Sequence, residues 1–344
     1  MSLTIVIWVG AVTFALSLLI VAQLVVVRLL STAHRRRRRE FESTWLSILV
    51  ESMERAPDSL PPVRRRDGVS FLTMWNRLQD SLVGEFGEPL NRIAVRAGMD
   101  DMARHMLAYG NVRERLLAIA TLGRLRDRTV WAEFVKLTTD RDLVLSLTAA
   151  RALVRMDPRA AIELLLPLIA ERDDWSPTAV VLMLQDAGAD AISAPLAEAA
   201  VRAAPEHAHR VIRYLGLAHP EAAIPVVREL LVRRADHIEC VTACLRVFKD
   251  AADLGTVRRY LTDHRWEVRV RAIDVLGRLG TVDDQARLAL LLSDPEWWVR
   301  YRAAQALCAL PSADRERLTH MSTTHSDPFA RDILAHVLAE RRCA

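Results

Sequence analysis

The sequence predicts an all-α chain: an α-solenoid of about eight helix hairpins behind one N-terminal transmembrane helix. The first observation is a repeat. DHRWEVRVRAIDVLGRL, Asp263 to Leu279, returns 31 residues later as DPEWWVRYRAAQALCAL, Asp294 to Leu310, with eight of 17 positions identical. From Leu276 and Leu307 the register extends to Leu122, Leu153, Leu184, Leu215, Leu245 and Leu338, every step being 31 residues except one of 30. Four residues before each leucine stands Ala118, Ala149, Val180, Val211, Val241, Ala272, Ala303 or Leu334. A fixed period of this length marks units that stack on their neighbours and share one continuous core. The second observation is composition: 51% hydrophobic with only 6% aromatic residues and 12 glycines, as an Ala/Leu/Val-rich helical array requires. The third is an uncharged stretch at the N-terminus.

That stretch, Leu3 to Val27, holds 25 residues without a charge. As a helix it is about 37 Å long, enough to cross a bilayer with some tilt. Arg28 and the run Arg35, Arg36, Arg37, Arg38 and Arg39 follow it at once, so the positive-inside rule places the N-terminus outside and the rest of the chain in the cytoplasm. Ser31-Thr32-Ala33 offers a small-x-small cleavage site, but the basic n-region of a signal peptide is missing and the apolar run is too long. The arginine run is expected to set topology by resting on lipid headgroups.

Residues 1–30 are thus read as the anchor and 31–69 as a juxtamembrane segment. Within the latter, Phe41, Trp45, Ile48 and Leu49 fall on one face of a short amphipathic helix, with Glu42, Glu51 and Glu54 elsewhere. An acidic polar face suits packing on protein better than on an anionic membrane. APDSLPPVRRRDGVS, with three prolines, is linker chemistry. Residues 70–110 form a helical cap: Phe71, Leu72, Trp75, Leu78 and Leu82 share a face, Pro89 suits a helix start and Gly98 an end, and Asp100 is placed to cap a third helix toward Tyr109. These helices depart from the 31-residue register, as a terminal unit of a solenoid should.

The repeat domain is 111–344, with two helical segments per unit. The clearest pair is TVDDQARLALLLSD, Thr281 to Asp294, and EWWVRYRAAQALCAL, Glu296 to Leu310. Asp, two residues, an aromatic, Val-Arg, an Ala-rich turn and Leu-Gly-x-Leu together resemble the HEAT-repeat family, and the spacing near 31 resembles its subset of PBS-lyase HEAT-like repeats. The resemblance covers about Asn111 to Ala344, strongest in the last three units and weakest around Ser176 to Ala187. It implies stacked hairpins; it does not choose a function, because the family hosts scaffolds, bilin lyases, a hydroxylase and DNA-repair relatives.

Helical geometry sorts the arginines. Arg269 lies on the core side of its helix with Val268, Ala272, Ile273 and Leu279, and Arg115, Arg300 and Arg331 are its counterparts. These are expected to pair with the loop aspartates Asp140, Asp263 and Asp294 and so tie neighbouring repeats together. On the opposite face, which lines the concave side of such solenoids, stand Arg271 and Arg278, and at matching positions Arg124, Arg151, Arg155, Arg210, Arg213 and Arg302, with Trp298 and Tyr301 beside them. Asp274, Glu267, Asp186 and Glu206 dilute their charge. This face is either a solvated surface or a groove for an acidic protein surface or anionic group. Trp266 and Trp297 are read as packing between repeats, Trp298 as available for contact.

Chemistry is sparse. No phosphate-binding loop, dinucleotide fingerprint, nucleophile elbow or HExxH occurs, and none of the ten histidines precedes a glutamate, so the His-Glu ligands of HEAT-type hydroxylases are missing. His207 and His209 face different ways on one helix, and His320 and His325 are poor partners for one ion. Cys240 and Cys244 are one helical turn apart with no second pair, so no catalytic residue, cofactor or metal is expected, and no disulfide framework. The formal net charge of +4 is local: residues 1–109 hold 14 of the 47 Lys/Arg and 11 of the 43 Asp/Glu, leaving a nearly neutral repeat domain and no cationic surplus for nucleic acid. All cations but Lys136 and Lys249 are arginines, a skew that fits a GC-rich coding bias. The reading is a non-catalytic, single-pass scaffold in a bacterial inner membrane whose cytoplasmic repeats hold a partner protein, for instance an envelope-biogenesis enzyme. Its rivals are a bilin-lyase-like enzyme and a HEAT-like nucleic-acid binder.

Overall fold

The computed structural model describes residues 36–55, 57–81, 87–311 and 313–343, together with the single positions Trp8, Ile20, Gln23 and Arg28. Apart from Trp8, Ile20 and Gln23, the membrane helix expected over Leu3–Val27 lies outside the described residues, as does Arg35. Among the described residues no helix is long and apolar enough to cross a membrane.

All regular structure in the described residues is helical, and the chain divides into two compact units, Met1–Met156 and Asp157–Ala344. In the first, helix α1 runs through 36–51 and carries the expected amphipathic face: Trp45 and Leu49 are fully buried, and the Trp45 ring meets the edge of Phe71 at 4.9 Å. The arginine run is partly neutralised here, by Arg36 with Glu40, Arg38 with Glu42, and Arg37 with Asp67 at 2.9 Å. The cap follows as α2 (Gly68–Ser81), α3 (Gly87–Arg96) and α4 (Met99–Tyr109). Gly98, at φ 71°, ends α3 and itself stands at the N-cap of α4, so Asp100 lies in the first turn and pairs with Arg104 instead of capping. Helix α5 (Val112–Leu125) starts at Asn111 with a capping box to Glu114, and α6 (Trp131–Leu137) and α7 (Leu143–Met156) complete the unit.

The second unit contains α8 (Pro158–Glu171), α9 (Pro177–Ala187), α10 (Ala189–Arg202), α11 (Pro205–Ile212), α12 (Pro220–Arg233), α13 (Ile238–Val247), α14 (Leu254–Arg258), α15 (Trp266–Leu279), α16 (Asp284–Leu290), α17 (Trp297–Ala309), α18 (Arg315–Thr324) and α19 (Pro328–Cys343). Even-numbered helices from α6 on are the first of each hairpin, and odd-numbered ones the second. Every leucine of the 31-residue register is buried, from Leu122 to Leu338, as is every partner four residues earlier. Leu215 is the exception in local form: α11 stops at Ile212 and Leu215 sits in a 3-10 turn. The Leu-Gly pair has a packing cause. A Cβ on Gly123 would fall 2.6 Å from the Cβ of Ala152, and one on Gly277 3.1 Å from that of Ala306, so glycine lets adjacent second helices approach at the same register.

The expected arginine–aspartate ladder forms in full at one rung. Arg269 donates Nε and Nη2 to Asp294 at 2.8 and 2.7 Å, and Nη1 to the carbonyls of Asp263 and His264. Arg300 and Arg331 repeat only the carbonyl half, on Asp294 and Pro295 and on His325 and Ser326. Asp263 is held by Arg265, which reaches both carboxylate oxygens from two residues away; the position 31 residues before Arg269 is Ile238, so no ladder arginine faces Asp263. Arg115 is half-buried at the matching place on α5. The register aspartates have a second task that sequence reading missed. Asp140, Asp263 and Asp294 each accept the backbone N–H two residues on, and His325 Nδ1 does the same in the last repeat.

A second ladder joins first helices. Arg104 pairs with Asp127 in the first unit, and Arg228 with Asp253 and Arg258 with Asp284 in the second. Each arginine lies in the middle or at the end of one helix, Arg104 in α4, Arg228 in α12 and Arg258 in α14, and each aspartate at the start of the next hairpin's first helical segment. Further arginines take the bare carbonyls at first-helix ends: Arg210 reaches Ala170 and Glu171 after α8, Arg234 reaches Val201 and Ala203 after α10, and Arg265 reaches Ala235 after α12.

Candidate interaction surface

Three exposed aromatic residues of the second unit, Trp297, Trp298 and Phe329, lie on α17 and α19, near the exposed Arg278 of α15 and Arg302 of α17. Arg271 is half-buried and donates to Asp274 at 2.9 Å, and Asp274 lies 3.8 Å from Arg302. Burial, and then Arg246, Arg302 and Arg278 nearby, lower the Arg271 pKa against the pull of Asp274. Asp274 thus stands between two guanidinium groups, Arg271 and Arg302, with Arg246 and Arg278 close to Arg271. Beside it a shallow groove of about 330 Å³ is lined by Asp274, Arg278, Arg302, Gln305, Val337 and Glu340, among others.

The aromatic part adjoins this groove. Trp297 stacks on Tyr301 with centroids 5.1 Å apart and planes within 9°, and Trp298 meets Trp297 edge-on at 4.8 Å. Both tryptophans remain about half exposed, at 44% and 50%. Tyr301 donates its hydroxyl to Glu340 at 3.1 Å, and burial and this bond raise its pKa. A cleft of about 430 Å³ opens next to them between Trp297, Arg300, Phe329, Asp332, Ile333 and His336, with the Arg300 guanidinium 5.2 Å over the Phe329 ring. Three rings held against one another and left facing solvent have the make-up of a protein-binding hot spot.

Several expected groove residues stand elsewhere. Arg210 is consumed in capping α8, and Arg213, exposed at the end of α11, lies against Tyr214. In the first unit Arg124 is ion-paired with Asp80 and mostly buried, a tie to the cap rather than a groove cation. Arg155 is half-buried on α7. Trp297, expected in repeat packing, is exposed because its neighbour on the ring face is Tyr301 of its own helix. Phe329, His336 and Glu340 were not anticipated, yet Phe329 lies 31 residues after Trp298, and the register alone was sufficient to find it.

Among the described residues no three His, Cys, Asp or Glu side chains gather as metal ligands. Cys240 and Cys244 are buried; burial pushes both thiols up, Cys244 to about 12. Burial, with Arg213 and Arg210, lowers the pKa of His209.

Residues 238–308 match a family model described as HEAT repeats. This segment is similar to HEAT repeats. The matched segment runs from α13 almost to the end of α17 and so contains Arg271, Arg278, Trp298, Tyr301 and Arg302. Among solved structures, the crystal structure of an engineered protein aligns with 86% of this chain and 93% of its own at 17% identity, with a TM-score of 0.35. No curated protein matches. HEAT repeats commonly mediate protein–protein contacts; the face described here is exposed, aromatic at one end and cationic at the other.

Proposed function

We propose that the protein is a non-catalytic scaffold that holds a partner protein on the α15–α17–α19 face. The observation that carries the reading is the exposed Trp297–Trp298–Tyr301 cluster, fixed by stacking and by the Tyr301–Glu340 bond, with Arg278 and Arg302 alongside. Rigid rings lose little entropy on binding, and the arginines favour an acidic rim on the partner. The uncharged Leu3–Val27 and the arginines after it support a single-pass anchor with the repeats on the cytoplasmic side of a bacterial inner membrane, where an envelope-biogenesis enzyme is the kind of partner within reach.

Two experiments test this. A photo-reactive residue at Trp298 in intact cells captures one recurrent protein that the same probe at exposed Val232 does not, and Arg278→Glu with Arg302→Glu abolishes that product. The same proteins captured at both positions would refute the docking face. For the anchor, the full chain resists alkaline extraction from membranes and a chain lacking residues 1–30 does not; equal extraction of both removes that half of the reading.

A further inference from the structure

A cleft larger than the two at the aromatic face lies away from them, between the first helices α8 and α10 with α11 at its end. It encloses about 660 Å³. Its position follows from the most irregular repeat: α11 is cut to Pro205–Ile212 and packs on α8 as well as on α10. The floor is built of small and apolar residues, among them Leu166, Ala170, Ala199 and Ala203, which allow another backbone to come close. The rim is acidic. Among the described residues Glu163 and Glu171 stand exposed at it with no side-chain ion pair, Glu198 pairs with Arg202 at 2.5 Å, His207 also lines the cleft, and Arg210 reaches the Glu171 carbonyl. A second observation points the same way. Pro167 of α8 and Pro195 of α10 both line the cleft, and because Pro167 has no N–H to donate, the carbonyl of Glu163 on the same lining loses its helical donor. The cleft therefore presents acceptors, both carboxylate and carbonyl, around an apolar floor.

We propose that this cleft binds a basic amphipathic helix of a partner protein. Its apolar face rests on the alanine floor and its Arg or Lys side chains meet Glu163, Glu171 and Glu198. A helix is the fitting form, since the described residues offer no strand edge for an extended segment to pair with and the cleft runs between two helices. Charge complementarity selects the sign of the partner.

The test uses the full-length chain in detergent with a photo-reactive residue at Ala199. The probe is a synthetic helix with leucines on one face and arginines on the other; its twin carries glutamates in place of the arginines. The arginine helix crosslinks and the glutamate twin does not. Glu163→Gln, Glu171→Gln and Glu198→Gln together lower the yield roughly tenfold, the effect of losing about 1.4 kcal/mol. Ala203→Trp, which fills the floor, blocks it, while circular dichroism reports unchanged helix content in each variant. Trp297→Ala with Trp298→Ala leaves the yield unaltered, which separates this cleft from the aromatic face. Equal crosslinking of both twins, or equal yield from a probe at Val232, overturns the proposal.

Discussion

Arg269 and Asp294, in adjacent repeats, form a two-pronged ion pair at 2.8 and 2.7 Å with only 10% and 6% of their side chains exposed. The third nitrogen of the same guanidinium holds the carbonyls of the loop before its own helix. The pair therefore joins two repeats and fixes one turn. Removing one partner from a buried pair leaves the other charge uncompensated and costs about 3–5 kcal/mol. Arg269→Ala and Asp294→Ala are each expected to lower unfolding stability by about 3 kcal/mol, and the double variant by clearly less than the sum, in a urea-denaturation cycle. Additive losses would show that the two side chains act separately.

Asp284 belongs to the first-helix ladder and its side chain is wholly buried. Burial raises its pKa, but the Arg258 hydrogen bonds, the Thr281 amide and the Arg258 charge outweigh this and hold it below the ordinary carboxylate value of 3.8. Asp263, held chiefly by Arg265, is likewise depressed. A carboxylate whose folded pKa lies below its unfolded pKa adds stability above the unfolded value, and that stability is lost as pH falls through the folded value. Thermal unfolding temperature should stay level from neutral pH to about pH 4 and then fall. Asp284→Asn should be less stable at neutral pH and show a shallower acid decline. A variant that tracks the parent at every pH would exclude Asp284 from the acid transition.

Gly123 and Gly277 occupy one register position but differ in room. An added methyl at Gly123 meets Ala152 atoms at 2.6 and 2.8 Å, whereas at Gly277 the nearest are at 3.1 and 3.2 Å. Gly123→Ala is expected to lower stability by about 1–3 kcal/mol through overpacking, and Gly277→Ala by less. Equal melting temperatures for the two variants would contradict the packing geometry.

The thiols rank by burial. With Cys343 replaced by serine, iodoacetamide at mildly alkaline pH should label Cys308 well before Cys240 and Cys244, whose thiolates are suppressed. Mass spectrometry of partly labelled native protein reads the order directly, and early modification of Cys244 would contradict its burial.

Much of the fold was legible because one physical constraint repeats: the second segment of each repeat must bury a leucine and a small or aliphatic residue four positions before it. The buried register from Leu122 to Leu338 is that constraint seen in structure. The ladder was legible in outline, since Arg269 falls on the core side, but its partner choice was not. Helical angle does not show that Arg265 holds Asp263, although Ile238 in the register already marks a rung without its arginine. Nor could it reveal that Arg210 turns away to cap α8, because carbonyl ends of helices carry no side-chain signature. On the candidate surface, Trp298 and Tyr301 were found by their face, while Trp297 was misplaced because its partner lies one turn along its own helix.

The arginines that close the ends of α8, α10 and α12 all come from later in the chain, 30 to 40 residues downstream. During synthesis each of these helices emerges with its last carbonyls bare and acquires its stopper only after the first helix of the next hairpin has left the ribosome. Maturation then advances with a lag of one repeat, and a chain halted before Arg265 keeps α12 frayed at its C-terminal end however well the preceding repeats have folded.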